Sequence, residues 1–397
     1  MLLRRARQRF AGKRTNKAAD DQLRIAYNRA TLGMQSNSGR DAMTAQDAAR
    51  QFRALALRNG MLQRERAAPE PPAIERQFDP ARLRAATDVL QHRHINFIGF
   101  NEDRNEVVVY TSTTLTKADM PLVPTMISGT PVRYIKGGAA HVGAPPPPPM
   151  GVSPYSEHNG RYTCGSSIYV GNMIGAGTLG CLVEDGHGIL CGLTNNHVSA
   201  ACNYAPLAMP IVAPGPIDVT AGSLDPFTIG HHYGLFPFVD GLDQNVAVND
   251  NLDAAIFRIK DPGGVSSMQR NAYDTPAMTM PVAAGMTVQK VGRTTGITQG
   301  YVRAQSVGPE PVEYLLDEID IRKTVYFDPL FIVESQPNAF ADIGDSGSLI
   351  THLEPNGNRL AVGIVVAVSK DRKLTYAADI GRILNYFGAT LRSGHNA

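Results

Sequence analysis

From about residue 160 onward, the chain is a succession of short apolar runs separated by glycine, proline and asparagine. The runs at residues 181–183, 254–257 and 331–333 have the length of strands, and helical periodicity is scarce before residue 380. Many short strands with turn residues between them indicate an all-β barrel or sandwich. Residues 380–387 predict a single C-terminal helix after these strands.

Three polar segments interrupt the apolar runs and carry the residues that amide hydrolysis needs. His197 lies in Leu-Thr-Asn-Asn-His-Val, Asp253 directly precedes an apolar run, and Ser346 lies in Gly-Asp-Ser-Gly-Ser. We predict that Ser346 is the nucleophile, that His197 moves its proton, and that Asp253 orients the imidazole. On spacing alone, Asp243 and Asp250 compete with Asp253.

The glycines around Ser346 predict a sharp turn that holds the hydroxyl outward. Glycine adopts backbone conformations that other residues avoid, so Gly344 and Gly347 suit such a turn. The turn also allows the amides of Gly344 and Ser346 to converge on one point. We therefore predict that these two amides form an oxyanion hole.

These segments resemble those of the trypsin-like serine proteases. Residues 194–197 resemble the T-A-A-H segment of that family, with asparagine at both alanine positions, and residues 177–183 resemble its preceding strand. Residues 291–296 resemble a segment found in a bacterial, intracellular branch of the trypsin-like superfamily. The resemblance covers residues 160–392. It implies an all-β, chymotrypsin-like fold of two six-stranded barrels, with His197 and Asp253 from the first barrel and Ser346 from the second.

The resemblance also places a substrate pocket. Phe340 stands at the pocket base, where a trypsin-like basic preference would need an acid, and Val366, Ala367 and Val368 would form the wall. This pattern predicts an apolar or small residue before the cleaved bond, although Asp342 lies close by. The family's activation by a freed amino terminus near Asp345 has no recognisable cleavage site here, so we expect control by the N-terminal region instead.

The N-terminal part has a different texture. We predict a basic helical arm over residues 1–72, a small α+β module over 73–142, a proline-rich linker over 143–159, and the protease domain over 160–397. Residues 1–66 hold fifteen Arg or Lys and five Asp or Glu, a net charge of about +10, against about −8 for the remainder. Either this arm is solvated, or it contacts nucleic acid, anionic lipid or an acidic partner. No interleaved aromatic residues support nucleic-acid binding.

Other features narrow the cofactors, partners and location. Residues 175–180 match G-x-G-x-x-G, but an apparent strand follows instead of a helix, which disfavours a dinucleotide site. No C-x-x-C pair occurs, and we expect no cofactor and no metal. No stretch reaches the ~20 apolar residues of a membrane span, and no secretory signal is recognisable.

We therefore predict a cytoplasmic, bacterial serine endopeptidase. It would cleave a specific protein partner. A regulatory partner or ligand acting through residues 1–142 would control its activity. Two alternatives stay open. One is a catalytically silent scaffold or binding protein on the same fold, and the other is an esterase or acyltransferase.

Overall fold

The computed structural model describes residues 43–62, 74–75, 78–147, 153–219, 226–241 and 247–397. These residues belong to one compact unit, Met43–Ala397. Most of the predicted basic arm, residues 1–42, lies outside the described residues. The α-helices in the described part are α1 (Ala45–Arg58), α2 (Pro80–Arg93), α3 (Asn196–Ser199) and α4 (Ile380–Phe387).

Helices α1 and α2 begin where the sequence supplies capping residues. The side chain of Thr44 accepts a hydrogen bond from the amide of Asp47 at 3.1 Å, and Asp47 lies in the first turn of α1. Asp79 caps α2 in the same way, with Pro80 at its first position. The apolar face of α1, including Phe52 and Leu55, packs on the strands that follow.

A small sheet follows α2. Its strands are β1 (Ile95–Asn101), β2 (Glu106–Thr111), β3 (Met126–Ile127), β4 (Thr130–Lys136) and β5 (Ala140–Val142). Strands β1 and β2 form an antiparallel pair within the predicted α+β module. Strand β2 runs parallel to β4, whereas β5 leaves this group for another part of the molecule.

The first barrel region follows the linker. Its strands are β6 (Glu157–His158), β7 (Arg161–Cys164), β8 (Ser167–Val170), β9 (Gly177–Thr178), β10 (Cys181–Glu184), β11 (Leu190–Thr194), β12 (Pro210–Ala213), β13 (Phe227–Leu235), β14 (Ala255–Ile259), β15 (Val265–Gln269) and β16 (Tyr273–Asp274). The curved sheet has the order β10-β11-β14-β13-β12-β8-β9, so among the described residues it is an open half-barrel.

The second barrel region is a closed ring. Its strands are β17 (Thr287–Gly292), β18 (Gly296–Ser306), β19 (Glu310–Leu316), β20 (Ile321–Phe327), β21 (Phe331–Glu334), β22 (Leu349–Leu353), β23 (Arg359–Ser369) and β24 (Thr375–Asp379). Pairing runs β17-β18-β21-β24-β23-β22 and returns to β17. The hairpin β19–β20 stands off this ring. After α4, β25 (Thr390–Leu391) pairs with β10 of the first region.

The predicted fold class is confirmed: the protein has an all-β, chymotrypsin-like double-barrel architecture with a C-terminal helix. One barrel is closed and the other is a half-barrel, which is less regular than two complete six-stranded barrels. Strand β1 of the small sheet pairs antiparallel with β18, so the two share one extended sheet. Among the helices of the described residues, none combines the length and the apolar character that crossing a membrane requires.

Candidate active site

His197 and Asp253 lie at the ends of neighbouring strands in the first barrel. Strand β11 ends at Thr194, and the one-turn helix α3 then presents His197, while Asp253 lies two residues before β14, the partner of β11. Imidazole Nδ1 of His197 lies 2.6 Å from Oδ2 of Asp253, and the amide of His197 donates to Oδ1 at 3.2 Å. The side chain of Asp253 has no exposed surface. The pair therefore fixes both the position and the ring orientation of the histidine.

Of the two competing aspartates, the structure describes only Asp250. Asp250 is exposed, and Asp243 lies outside the described residues. The amide nitrogen of the Asn195 side chain donates to the backbone oxygen of Asp253 at 2.6 Å, which ties the two strand ends together once more. Asp253 is thus the carboxylate that the fold delivers to His197.

Tyr314 is a third member of this cluster that the sequence did not reveal. It lies on β19, and its hydroxyl donates to Oδ2 of Asp253 at 2.9 Å, the same oxygen that faces His197. Burial, followed by the negative charge of Asp253, raises the pKa of Tyr314 well above its usual value, so the hydroxyl keeps its proton. A buried carboxylate needs several donors, and Tyr314 supplies one from the other barrel.

Ser346 stands on the loop between β21 and β22. Gly344 and Gly347 on either side have φ of 98° and 92°, values that favour glycine. Within the described residues, the N–H groups of Gly344 and Ser346 donate to no protein acceptor. The hydroxyl of Ser346 donates a long hydrogen bond, 3.5 Å, to the carbonyl oxygen of Val366. The loop thus presents two backbone donors without a protein acceptor beside the Ser346 hydroxyl, which is turned toward β23.

A buried ion pair anchors the loop that carries Ser346. Lys290 Nζ lies 3.0 Å from Oδ2 of Asp345, and both side chains are fully buried. Burial opposes the charge on Asp345, but Lys290 and donors from residues 294, 295 and 342 outweigh it, so the pKa of Asp345 is lowered. Because Asp345 immediately precedes Ser346, Lys290 anchors the backbone at this serine.

Arg293 joins the two barrels next to this loop. It is fully buried, and its guanidinium pairs with both carboxylate oxygens of Asp218 from the first barrel region, with Nε 2.8 Å from Oδ2. Its remaining nitrogen, Nη1, donates to the carbonyl oxygen of Pro146 at 2.9 Å. Such bidentate pairs have a fixed geometry, which suits the boundary between two barrels.

His197 and Ser346 line one narrow cavity of about 20 Å³. Ten further residues share its lining: Val142, Gly143, Ala144, Pro145, Tyr169, Ile174, Ala176, Leu315, Leu316 and Gly344. The cavity has room for about one water molecule. The structure therefore brings His197 and Ser346 to one cavity, and it also places part of the predicted linker there.

The predicted pocket residues Phe340, Val366, Ala367 and Val368 are not part of this lining. Phe340 is fully buried and packs inside the second barrel with valines that include Val368. Its carbonyl oxygen accepts a hydrogen bond from the hydroxyl of Thr298 at 2.6 Å. A role for these four residues in substrate choice stays a prediction.

The four cysteines are buried free thiols. Burial raises the pKa of Cys164 and of Cys191 to about 12, and it also raises the pKa of Cys181 and of Cys202 well above the usual value. A thiol of this kind stays protonated near neutral pH and is a poor nucleophile. No group of three or more His, Cys, Asp or Glu side chains that could hold a metal occurs in the part of the chain that the structure describes.

Comparison with known proteins yields a family match over part of the chain. The family described as the Nal1 C-terminal domain matches residues 237–387, which is less than half of the 397 residues. This stretch includes Asp253 and Ser346 but not His197. No curated protein matches the chain.

Solved structures give distant likenesses to serine proteases. Thermobifida fusca protease A is 20% identical, over 58% of this chain and 98% of that chain, with a TM-score of 0.39. The Nocardiopsis protease is 18% identical over 58% and 98%, with a TM-score of 0.37. A glutamic acid-specific serine protease is 19% identical over 58% and 100%, with a TM-score of 0.37. The fold assignment therefore rests on the strand pairing itself.

Proposed function

We propose that the protein is a serine endopeptidase that acts through His197, Asp253 and Ser346. One observation carries the proposal: a buried imidazole–carboxylate pair from one barrel shares a cavity with a serine from the other. A lone buried carboxylate is costly, and here Asp253 has donors from His197 and Tyr314. The cavity also adjoins two backbone N–H groups that have no protein acceptor within the described residues.

The proposed reaction proceeds through an acyl-enzyme. The hydroxyl of Ser346 turns from Val366 to His197, Nε2 takes its proton, and the serine oxygen attacks the peptide carbonyl carbon. The N–H groups of Gly344 and Ser346 stabilise the oxyanion. His197 then gives the proton to the leaving amine, and a water molecule hydrolyses the ester by the same steps in reverse. The chemistry uses side chains and water.

The finer parts of the proposal concern substrate and control. We propose a specific protein partner as the substrate, a small or apolar residue before the cleaved bond, and control by the N-terminal region. A regulatory partner or ligand acting through residues 1–142 and a cytoplasmic location stay predictions, as does the origin in bacteria. Four buried free thiols suit a reducing compartment.

The test is covalent labelling of the full-length protein with a fluorophosphonate probe, read by intact mass and peptide mapping. We expect one adduct, on Ser346, that disappears in Ser346→Ala. Ser348→Ala is the matched control, because Ser348 is a buried serine two residues away that donates to Asp345 O at 2.6 Å. An adduct that survives Ser346→Ala would contradict the assignment.

A scaffold without catalysis is the second candidate. The direction of the Ser346 hydroxyl favours it, because the bond to Val366 leaves the nucleophile apart from its base. The same labelling experiment decides between the two. No adduct in any folded form, including the variants described below, would establish the scaffold.

A further inference from the structure

Residues 138–146, the cleft segment, pass through the gap between two strands of the second barrel region. Within this segment, β5 pairs in parallel with β19, where Ala140 faces Val312 and Val142 faces Tyr314. On its other side, β5 pairs antiparallel with β23, where His141 faces Val368. The segment thus fills a slot with hydrogen-bonding edges on both sides.

The direction of the cleft segment carries it toward the nucleophile. Ala140 faces Ser369 and His141 faces Val368, so each forward step moves one residue back along β23. Gly143, the residue after β5, lines the cavity at Ser346, and Val366 lies two residues further back along β23 than Val368. The carbonyl oxygen of Val366 is the acceptor of the Ser346 hydroxyl. A substrate peptide that followed the same path would present its carbonyl carbon to Ser346 at the position of Gly143.

The cleft segment also fills the space between the base and the nucleophile. Val142, Gly143, Ala144 and Pro145 line the cavity at His197 and Ser346, and only about 20 Å³ is left. That volume holds about one water molecule. A substrate backbone therefore has no room until the segment moves away.

Hydrogen bonds anchor the segment at both ends. The hydroxyl of Tyr376 donates to the carbonyl oxygen of Gly138 at 2.9 Å, and the amide of Lys370 donates to that of Ala139 at 3.1 Å. At the far end, Arg293 holds the carbonyl oxygen of Pro146 at 2.9 Å. Pro145 and Pro146 within the segment restrict its backbone, which lowers the entropy lost when the segment is held.

The segment does not engage the groups proposed to carry out the reaction. In the described residues, the N–H groups of Gly344 and Ser346 donate to no acceptor, so no carbonyl group of the segment occupies the proposed oxyanion hole. The Ser346 hydroxyl is bonded to Val366, away from the segment. The peptide lies beside the nucleophile without the contacts that would stabilise attack on it.

We propose that residues 138–146 are a tethered, substrate-like occupant that keeps the active site latent, a proposal that rests on the proposed endopeptidase function. The same slot defines the substrate class. It takes an extended, uncharged peptide with glycine or another small residue at the attacked position, paired with β19 on one side and β23 on the other. Release of the segment opens the slot.

The test uses full-length variants that expel the segment. Val142→Asp places a charge at a buried position, and His141→Pro removes a backbone donor from β5. The control is Pro147→Asp, at an exposed position of the same linker. We expect fluorophosphonate labelling of Ser346 to rise about tenfold or more in the first two. This factor follows when the tethered segment has an effective concentration of about 1 mM and binds the slot with a Kd of about 0.1 mM. Pro147→Asp should label at the wild-type rate.

A second readout does not depend on chemistry. A fluorescent peptide with the sequence of residues 138–147 should bind Val142→Asp/Ser346→Ala, measured by anisotropy, and not Ser346→Ala alone. Unlabelled peptide should also slow the labelling of Val142→Asp. Thermal unfolding by circular dichroism confirms that each variant is folded.

The outcomes separate the two proposals. Equal Ser346 labelling in wild type and both expelling variants, with no peptide binding, would overturn latency and leave the endopeptidase function standing. Wild-type protein cut between residues 143 and 144 would show that the segment is a substrate, and would also overturn latency. Peptide binding without labelling in any variant would support the slot and reject the enzyme.

Discussion

The two halves of the candidate site are built on different principles. On the base side, hydrogen bonds from His197 and Tyr314 converge on one carboxylate, Asp253. On the nucleophile side, a fully buried ion pair between Lys290 and Asp345 holds the loop. Hydrogen-bond donors can be removed one at a time at modest cost, whereas removing one partner of a buried ion pair leaves an uncompensated charge. A single substitution in the ion pair should therefore destabilise the nucleophile side strongly, whereas removing one donor from the base side should have a smaller effect.

The largest effect should come from Lys290→Met, which breaks the nucleophile side. We expect the free energy of unfolding to fall by about 3–5 kcal/mol, because Asp345 keeps a buried charge without its partner. Urea denaturation measures the change. Lys370→Met is the control, since Lys370 pairs with Glu313 at the surface and should cost at most about 1 kcal/mol. Comparable losses in the two variants would contradict the distinction.

A smaller effect should come from Tyr314→Phe, which removes one donor from the base side. A hydrogen bond to a charged group contributes about 1.5–3 kcal/mol, so Ser346 labelling should slow by about tenfold or more. The acid limb of the pH–rate profile for Ser346 labelling should also shift, because Asp253, the partner of His197, loses a hydrogen-bond donor. Tyr162→Phe, which loses a buried hydroxyl bond to Ser167, should leave that profile unmoved. An unmoved profile in Tyr314→Phe would reduce Tyr314 to a packing role.

The smallest effect concerns the docking of the cleft segment, which lies over both halves of the site. Burial lowers the pKa of His141, with further lowering from Lys370 and Arg372, while its bond to the Val368 carbonyl oxygen and the charge of Glu313 oppose the shift. The docked segment therefore prefers neutral His141. Docking should be complete above the usual histidine pKa near 6.5 and weaken as the pH falls toward the lowered pKa.

Hydrogen exchange at the β5 amides measures this docking. After correction for intrinsic rates, protection at pH 5.5 should be a few-fold lower than at pH 7.5 in the wild type. His141→Gln, which cannot titrate, should show no such change. Protection that rises on acidification would reverse the assigned sign.

The sequence was sufficient for the fold class and for the order of the three candidate residues, because each lies in a local motif. Ser346 stands between two glycines, and Asp253 precedes an apolar run. Tyr314 and Lys290 lie in ordinary strand sequences instead, and their partners are 61 and 55 residues away. Alternation along β17 puts Lys290 on the same face as the buried Val288, and its side chain is fully buried there. The sequence does not reveal the carboxylate that pairs with it.

The position of the proline-rich stretch was likewise beyond the sequence. Its composition predicts stiffness and a spacer, and composition alone does not show which surface a stiff segment contacts. In the structure, residues 143–147 lie beside His197 or follow directly from that contact. The slot that receives the cleft segment lies between two strands, β19 and β23. The turn between β18 and β19 and the ring of the second barrel bring these strands together.

The pairing of β1 with β18 has a consequence for colloidal stability. A strand with one unpaired side is a template for another chain, and β1 covers that side of β18 just as β5 covers β19 and β23. A chain cut within the linker would keep its barrels but expose three such borders at once. Fragments that begin at residue 151 should therefore self-associate through strand addition, with an association that strengthens as the protein is concentrated.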